Sequence, residues 1–362
     1  MEYKDIRIIT EEAKNIKKFE WEDIVNFIKK FDSISDSSHN SAKNHDLEYF
    51  KIKLLKSPYG SCYITRVVNN EGKCMGFQSL TKKSFFYLGK KIDSFELGDV
   101  YLESILQGRS IYLKMIKDSM DFLKKIFPKS FVYATANKFS QPWLIRGGFK
   151  LTDFGLNFRI LPIKPFLVLK SKLLIFVFSL LNPLYVLLLK VFLYFFSFNN
   201  KISFDLIDNF NEFPQDYKPI HDIEMNRSKE YLQWRFIQNP LKYEIFKIKY
   251  IDNAIGYIIF KKALYKKTPT LFLADISINK DYIHYTQKIF LKILFKHYNL
   301  SKYAFIASCL SNKSYYWKSL SQCLPINFSK IPFIIHENLA PESSFNYEKA
   351  KIHFVFGDGD NI

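Results

Sequence analysis

The period of the hydrophobic pattern changes once between residues 96 and 126, and that change predicts a strand, a turn and a helix. The run 96–103 (ELGDVYLE) mixes apolar and acidic positions, as in a strand with a carboxylate at each end of a buried stretch. Gln107, Gly108, Arg109 and Ser110 turn the chain. Tyr112, Ile116, Met120 and Leu123 then recur at helical spacing, with Lys114, Lys117, Asp118, Asp121 and Lys124 on the other face. A strand feeding a tight turn and a helix aims unpaired backbone N–H groups, and the positive end of the helix dipole, at one point. An anionic phosphate can sit there. A second strand and helix start follow in FVYATANKFSQPWLIRGGFK, residues 131–150.

The pattern repeats. Residues 48–58 (EYFKIKLLKSP) and 230–240 (EYLQWRFIQNP) match in class at nearly every position. Each is followed by β-forming runs separated by Asn-rich turn chemistry, RVVNNEGKCMGFQSL in the first half and YIDNAIGYIIFKK in the second. GDVYLE is echoed by LADISI, and ATANKFS by CLSNKSYY. Several matches in the same order predict two copies of one α/β unit. After Asp275 the second copy continues as NKDYIHYTQKIFLKIL, a helix with no glycine at its entry, so a phosphate cradle is expected in the first half only.

Between the copies lies an apolar run. Residues 173–189 (LLIFVFSLLNPLYVLLL) carry no charge, and the run resumes after Lys190 as VFLYFFSF. Lys164, Lys170, Lys172 and Lys201 flank it. Pro183 removes a helix hydrogen bond and disfavours helix at Asn182. One kinked span, a helical hairpin in one leaflet and a buried helix pair all fit. A single crossing would separate the two echoing halves, so a monotopic hairpin is the favoured expectation.

Composition narrows the partners. The 362 residues suffice for two domains, and abundant Phe, Tyr, Ile and Leu argue against disorder. The net charge of +18 comes from lysines spread along the chain without an Arg-rich helix. An anionic membrane surface is therefore a more natural partner than a specific nucleic acid. Cys62, Cys74, Cys309 and Cys323 show no CxxC spacing and the histidines form no ligand motif, so no metal is expected. The polar start MEYKDIRIIT lacks a signal-peptide pattern, and the expected location is cytoplasmic, peripheral or monotopic on the inner membrane face.

Residues 98–115 (GDVYLESILQGRSIYLKM) and 131–150 resemble the core of the GNAT acyltransferases, the acetyl-CoA-dependent N-acetyltransferase superfamily. In that family an acidic strand precedes a Gln/Arg-x-x-Gly-x-Gly/Ala turn around the CoA pyrophosphate. The likeness spans residues 63–150. It departs in the turn, where Ser110 and Tyr112 stand in place of two small residues. It implies an α+β fold of two tandem GNAT-like units, each a mixed, mostly antiparallel sheet flanked by helices. The expected units are 1–162 (acyl-CoA-binding), 163–200 (hydrophobic helical hairpin) and 201–362 (degenerate copy). The co-substrate implied is acetyl-CoA or another acyl-CoA, held by Leu102 and by the groups of Gln107, Gly108, Arg109, Ser110, Ile111 and Tyr112, with Asn137 contacting the cofactor arm.

Acyl transfer to an amine needs a base, a polarised thioester and an acid for the thiolate. Asp99 or Glu103 is the candidate base. Where the family often has a Tyr acid, this chain has Trp143, which cannot donate a proton in that role. Trp234 and Arg235 are candidates to stack on or pair with a sugar or anionic acceptor. The chain resembles tandem GNAT-like proteins associated with bacterial surface polysaccharide assembly, and the expected acceptor is an amino group of a sugar, a glycan precursor or a related small molecule. The alternatives are a transferase like the FemAB family, taking aminoacyl-tRNA, and a catalytically inactive membrane-associated scaffold.

Overall fold

The computed structural model describes residues 6–34, 47–168, 172–213, 218–265, 267–336 and 349–358. Its first half runs β1 (Ile6–Glu12), α1 (Lys18–Ile34), α2 (Leu47–Phe50), β2 (Tyr63–Asn69), β3 (Cys74–Tyr87), β4 (Lys90–Leu102), α3 (Ile111–Ile126), β5 (Phe131–Thr135), α4 (Gln141–Arg146) and β6 (Phe149–Pro162). After α5 (Lys172–Ser197) come β7 (Ile202–Ile207), β8 (Ile223–Met225), α6 (Lys229–Leu232), β9 (Tyr243–Tyr250), β10 (Asn253–Tyr265) and β11 (Thr268–Ile278). Then follow α7 (Thr286–His297), β12 (Phe305–Ser311), α8 (Trp317–Cys323), β13 (Ile326–His336) and β14 (Ile352–His353).

The described strands form one continuous sheet. Strands β1 to β4 are antiparallel in sequence order and β5 joins β4 in parallel. The second half repeats this with β7, β9, β10 and β11 antiparallel and β12 parallel to β11. The two arrays are joined by exchange. β6 leaves the first half to pair with β12, and β13 returns to pair with β5. At the centre the two exchanged strands pair with each other, from Ile326 opposite Ile160 to His336 opposite Phe149. Each half thus lacks its last strand without the other.

The echoing sequences fold alike. α2 continues into a π turn over Lys51–Leu55, closed by Lys56 N–H donating to the Lys51 carbonyl at 3.2 Å. α6 does the same over Gln233–Ile237, with Gln238 N–H to the Gln233 carbonyl at 2.9 Å. Wide turns of this kind appear mostly where a helix has a functional or packing constraint. Here they turn Ile52 and Trp234 toward the seam between the halves, where Phe85, Tyr133, Phe154, Phe333 and Phe354 share one core.

The expected hairpin between the halves is instead a single helix. Pro183 lies inside α5, and the chain continues helical past it. A proline costs one backbone bond locally, and the apolar residues on both sides keep the remaining bonds. Val186 and Leu193 are buried, with Tyr185 and Leu189 beside them, against α7. That cover explains why α7 buries Ile289, Phe290, Leu291, Ile293 and Leu294 almost all round.

Candidate acyl-CoA site

β4 reaches the site through a bulge. Ser79 faces Gly98 and Phe77 faces Tyr101, so Asp99 and Val100 together stand opposite Gln78. Asp99 adopts a left-handed φ of +46°. Its carboxylate is buried against the Lys53 ammonium, which the first π turn delivers, and accepts from Ser79 Oγ at 3.0 Å. β4 pairs with β5 only over Ser94–Glu96, and from Leu97 onward the two strands diverge. Glu103 follows directly on β4, partly exposed, with Lys30 Nζ 4.0 Å away.

Past Glu103 a short 3-10 turn leads to the expected cradle. Gln107, Gly108, Arg109 and Ser110 are exposed, and Gly108 and Ser110 both take left-handed backbone, φ +75° and +59°. No side chain caps α3 and its first turn holds no acid, so the leading N–H groups of the helix face outward in a positive field. A Cβ built on Gly108 meets nothing within 4 Å, so this glycine serves the turn's backbone and leaves room above it. Polar bonds moor α3 to the sheet. Ser119 Oγ contacts Thr65 Oγ1 at 2.6 Å and accepts from Gln78 Nε2 at 2.8 Å, while Thr10 donates to Asp118 at 2.5 Å.

The other expected residues have prior engagements. Gln107 Nε2 donates to the Leu102 carbonyl at 2.9 Å, folding the turn back on the strand end. Ile111 is buried and Tyr112 packs between two core clusters, where burial raises its phenol pKa. Asn137 Oδ1 accepts from the N–H groups of Phe139 and Ser140, both at 2.9 Å, so its side chain closes its own turn. Trp143 packs beside α3 under Arg146.

Trp234 and Arg235 do not present a binding face; both are buried. The Trp234 indole donates to the Ile52 carbonyl, and Arg235 Nε donates to the Gly357 carbonyl at 2.8 Å. Their expected contact with an acceptor fails because the seam and the chain's last segment cover them.

That last segment explains the second half. β11 pairs with β12 over Thr270–Leu273 and then diverges, as β4 does from β5. Residues 352–358 lie along the divergence. Leu310 bridges to Val355, Ser311 N–H donates to the Phe354 carbonyl at 2.9 Å, and His353 Nε2 lies 3.1 Å from the Ile276 carbonyl. Gly357 sits so close to β11 that a Cβ would come within 2.6 Å of the Ala274 carbonyl. Asp358 is locked to Arg227, which also grips Asp275 with Nε to Oδ2 at 3.0 Å. Around them His221 Nδ1 meets Glu224 at 2.7 Å, and Ser314 Oγ meets His353 Nδ1 at 3.0 Å. Asn279 caps the entry to the helical turn after β11 by accepting from Asp281 N–H.

Sequence reading missed these buried ions, and also Lys83 paired with Glu96 at 3.5 Å beneath Trp234. The Lys53–Asp99 and Arg227–Asp358 partners lie far apart along the chain. The one available signal was that Lys53 and Arg235 occupy the same place in the two echoing motifs.

No family model matches the chain, and no curated protein does. Solved structures match its fold. A Saccharomyces cerevisiae N-myristoyltransferase with bound myristoyl-CoA aligns with a TM-score of 0.59 at 12% identity, over 93% of this chain and 79% of that one. A tandem GNAT protein from the clavulanic acid biosynthesis pathway aligns with a TM-score of 0.58 at 8% identity, over 92% of this chain and 99% of its own. The chain has the tandem GNAT fold. A GNAT N-acetyltransferase from Anabaena variabilis aligns with a TM-score of 0.56 at 12% identity, over 91% of this chain and 72% of that one.

Proposed function

We propose that the chain is a CoA-dependent N-acyltransferase whose acyl-CoA binds in the first half and whose acceptor is an amine on a sugar or glycan precursor. The observation that carries the reading is an asymmetry. In the first half the turn 107–110 is exposed with open space over Gly108, whereas in the second half a 3-10 turn without glycine leads into the helix and the chain's own residues 352–358 lie in the strand divergence. Backbone N–H groups at the start of α3 would hold the pyrophosphate, with Arg109 beside them.

In the transfer the acceptor nitrogen gives up a proton to a base and attacks the thioester carbonyl. The C–S bond then breaks and the departing thiolate takes a proton from water, since Trp143 has no acidic proton to give. Glu103 is the better placed base. The Asp99 carboxylate is already neutralised by Lys53, which makes it a positioning residue that fixes the β4 bulge.

Calorimetric titration of the full chain with acetyl-CoA and with a long-chain acyl-CoA tests the reading. Saturable binding that Gly108→Trp abolishes is expected, because the indole would fill the space above the turn. Undiminished binding by Gly108→Trp, or no binding by the parent chain, would overturn it.

A further inference from the structure

α5 is a helix that the protein covers on one narrow stripe only. From residue 173 to 184 no side chain is buried, and from 185 onward only Val186, Leu193 and Ser197 are. Leu180 is 65% exposed, Leu187 57% and Phe195 69%, and these are typical of the helix rather than exceptions. Twenty-six residues extend about 39 Å at 1.5 Å per residue. An apolar surface of that length is far larger than the scattered exposed hydrophobics of ordinary protein surfaces.

Along the chain, the charge on either side of α5 is of one sign. No Asp or Glu occurs between Asp153 and Asp205, whereas Arg159, Lys164, Lys170, Lys172, Lys190 and Lys201 do. The neighbouring α7 adds Lys288 and Lys296, again without an acid. A second copy of the chain docking here would bring two basic faces together. A surface with an apolar interior and anionic headgroups complements both properties at once.

The fold fixes the orientation. The strands on either side of α5, β6 and β7, belong to the same sheet. The Tyr185 hydroxyl donates to the Pro162 carbonyl at 2.7 Å, and the Lys292 ammonium holds the Asn199 carbonyl at 2.6 Å, so the second half of α5 is fastened lengthwise to the body. For α5 to cross a bilayer, α7 and the sheet behind it would have to enter hydrocarbon. Lysines at the start, middle and end of the segment also suit a helix lying flat, where each ammonium reaches the headgroups.

We propose that α5 is a monotopic membrane anchor, lying in the plane of an anionic bilayer with its exposed Leu and Phe residues in the acyl boundary and its lysines at the phosphates. This is independent of the acyl-transfer reading and can fail without it.

The test is flotation of the full chain with vesicles of phosphatidylcholine, alone or mixed with phosphatidylglycerol. The parent chain should float with both, more strongly with the mixed vesicles and less so as salt is raised. The triple variant Leu180→Glu, Leu187→Glu, Phe195→Glu changes only exposed positions. It should keep the parent's melting temperature and lose roughly tenfold or more in bound fraction. Parent chain that stays unbound with mixed vesicles overturns the proposal. So does a triple variant that floats like the parent, or a parent dimer that the triple variant dissociates without any change in flotation.

Discussion

The indole N–H of Trp234 donates to the carbonyl of Ile52 at 2.7 Å, joining the same position of two copies of one helix–π-turn motif across the seam between the halves. The bond is buried on both sides, and the exchanged strands β6 and β13 run beside the same core. Neither half has a complete sheet alone.

Unfolding should therefore be a single event. Trp234→Phe keeps most of the packing but leaves the Ile52 carbonyl without its donor, at a cost of about 1–3 kcal/mol. Trp234→Ala adds a cavity and should cost about 3–5 kcal/mol. In urea, both variants should shift one transition to lower midpoint. Two separated transitions, by near-UV and far-UV circular dichroism, would refute the idea of halves that stand or fall together.

Asp99 and Glu103 should behave differently when neutralised. Asp99→Asn removes the countercharge from the buried Lys53 ammonium and should cost about 3–5 kcal/mol of stability. Adding Lys53→Met should recover much of that loss. Glu103→Gln, at a partly exposed strand end, should leave the melting temperature within a degree or two while lowering acyl transfer by about a hundredfold or more. Normal turnover by Glu103→Gln, with an unaltered pH profile, would remove it as the base.

At Gly108 the backbone and the space above it make separate demands. Gly108→Ala places a Cβ at φ +75° in open surroundings, so it should cost about 1–2 kcal/mol of stability through strain alone. Acyl-CoA affinity should fall only modestly. If Gly108→Ala abolishes binding as completely as Gly108→Trp does, the pyrophosphate approaches the turn more closely than its open geometry implies.

The parts of this fold legible in the sequence are those with local periodicity. The alternation in 96–103 and the helical spacing from Tyr112 to Leu123 gave β4 and α3, and the echo between 48–58 and 230–240 became two matching π turns. Strand exchange left no such trace, because nothing local tells β6 or β13 which sheet edge it will join. Asn182 and Pro183 looked like a break, yet α5 runs through them, since flanking residues on both sides still complete their own helical bonds. Trp234 and Arg235 read in the sequence as candidates to meet a sugar or anionic acceptor, with core packing the ordinary alternative for Trp234 and a surface role for Arg235. Their burial depends on Ile52 and Gly357, far away in the chain, and no spacing rule reaches that far.

The plug in the second half carries two opposing pH dependences. Burial, reinforced by Asp275, lifts the Asp358 carboxyl from its ordinary 3.8 to about 6 against the pull of Arg227. Between those values the folded protein holds a proton that the unfolded chain has released. The contribution of Asp358 to stability is thus complete below about 4 and is lost as the pH rises through about 6. His353 runs the other way. Burial, with Arg227 and His221 nearby, holds its ring neutral well below the ordinary 6.5. The unfolded chain binds its proton first, so stability from this group is present above 6.5 and falls as the pH drops. Melting temperatures from pH 4.5 to 7.5 should therefore show Asp358→Asn gaining on the parent chain as the pH rises, because Arg227 still has Asp275 for company. His353→Gln should gain on the parent as the pH falls. Parallel profiles for both variants and the parent would mean that residues 352–358 leave the cleft before either group titrates.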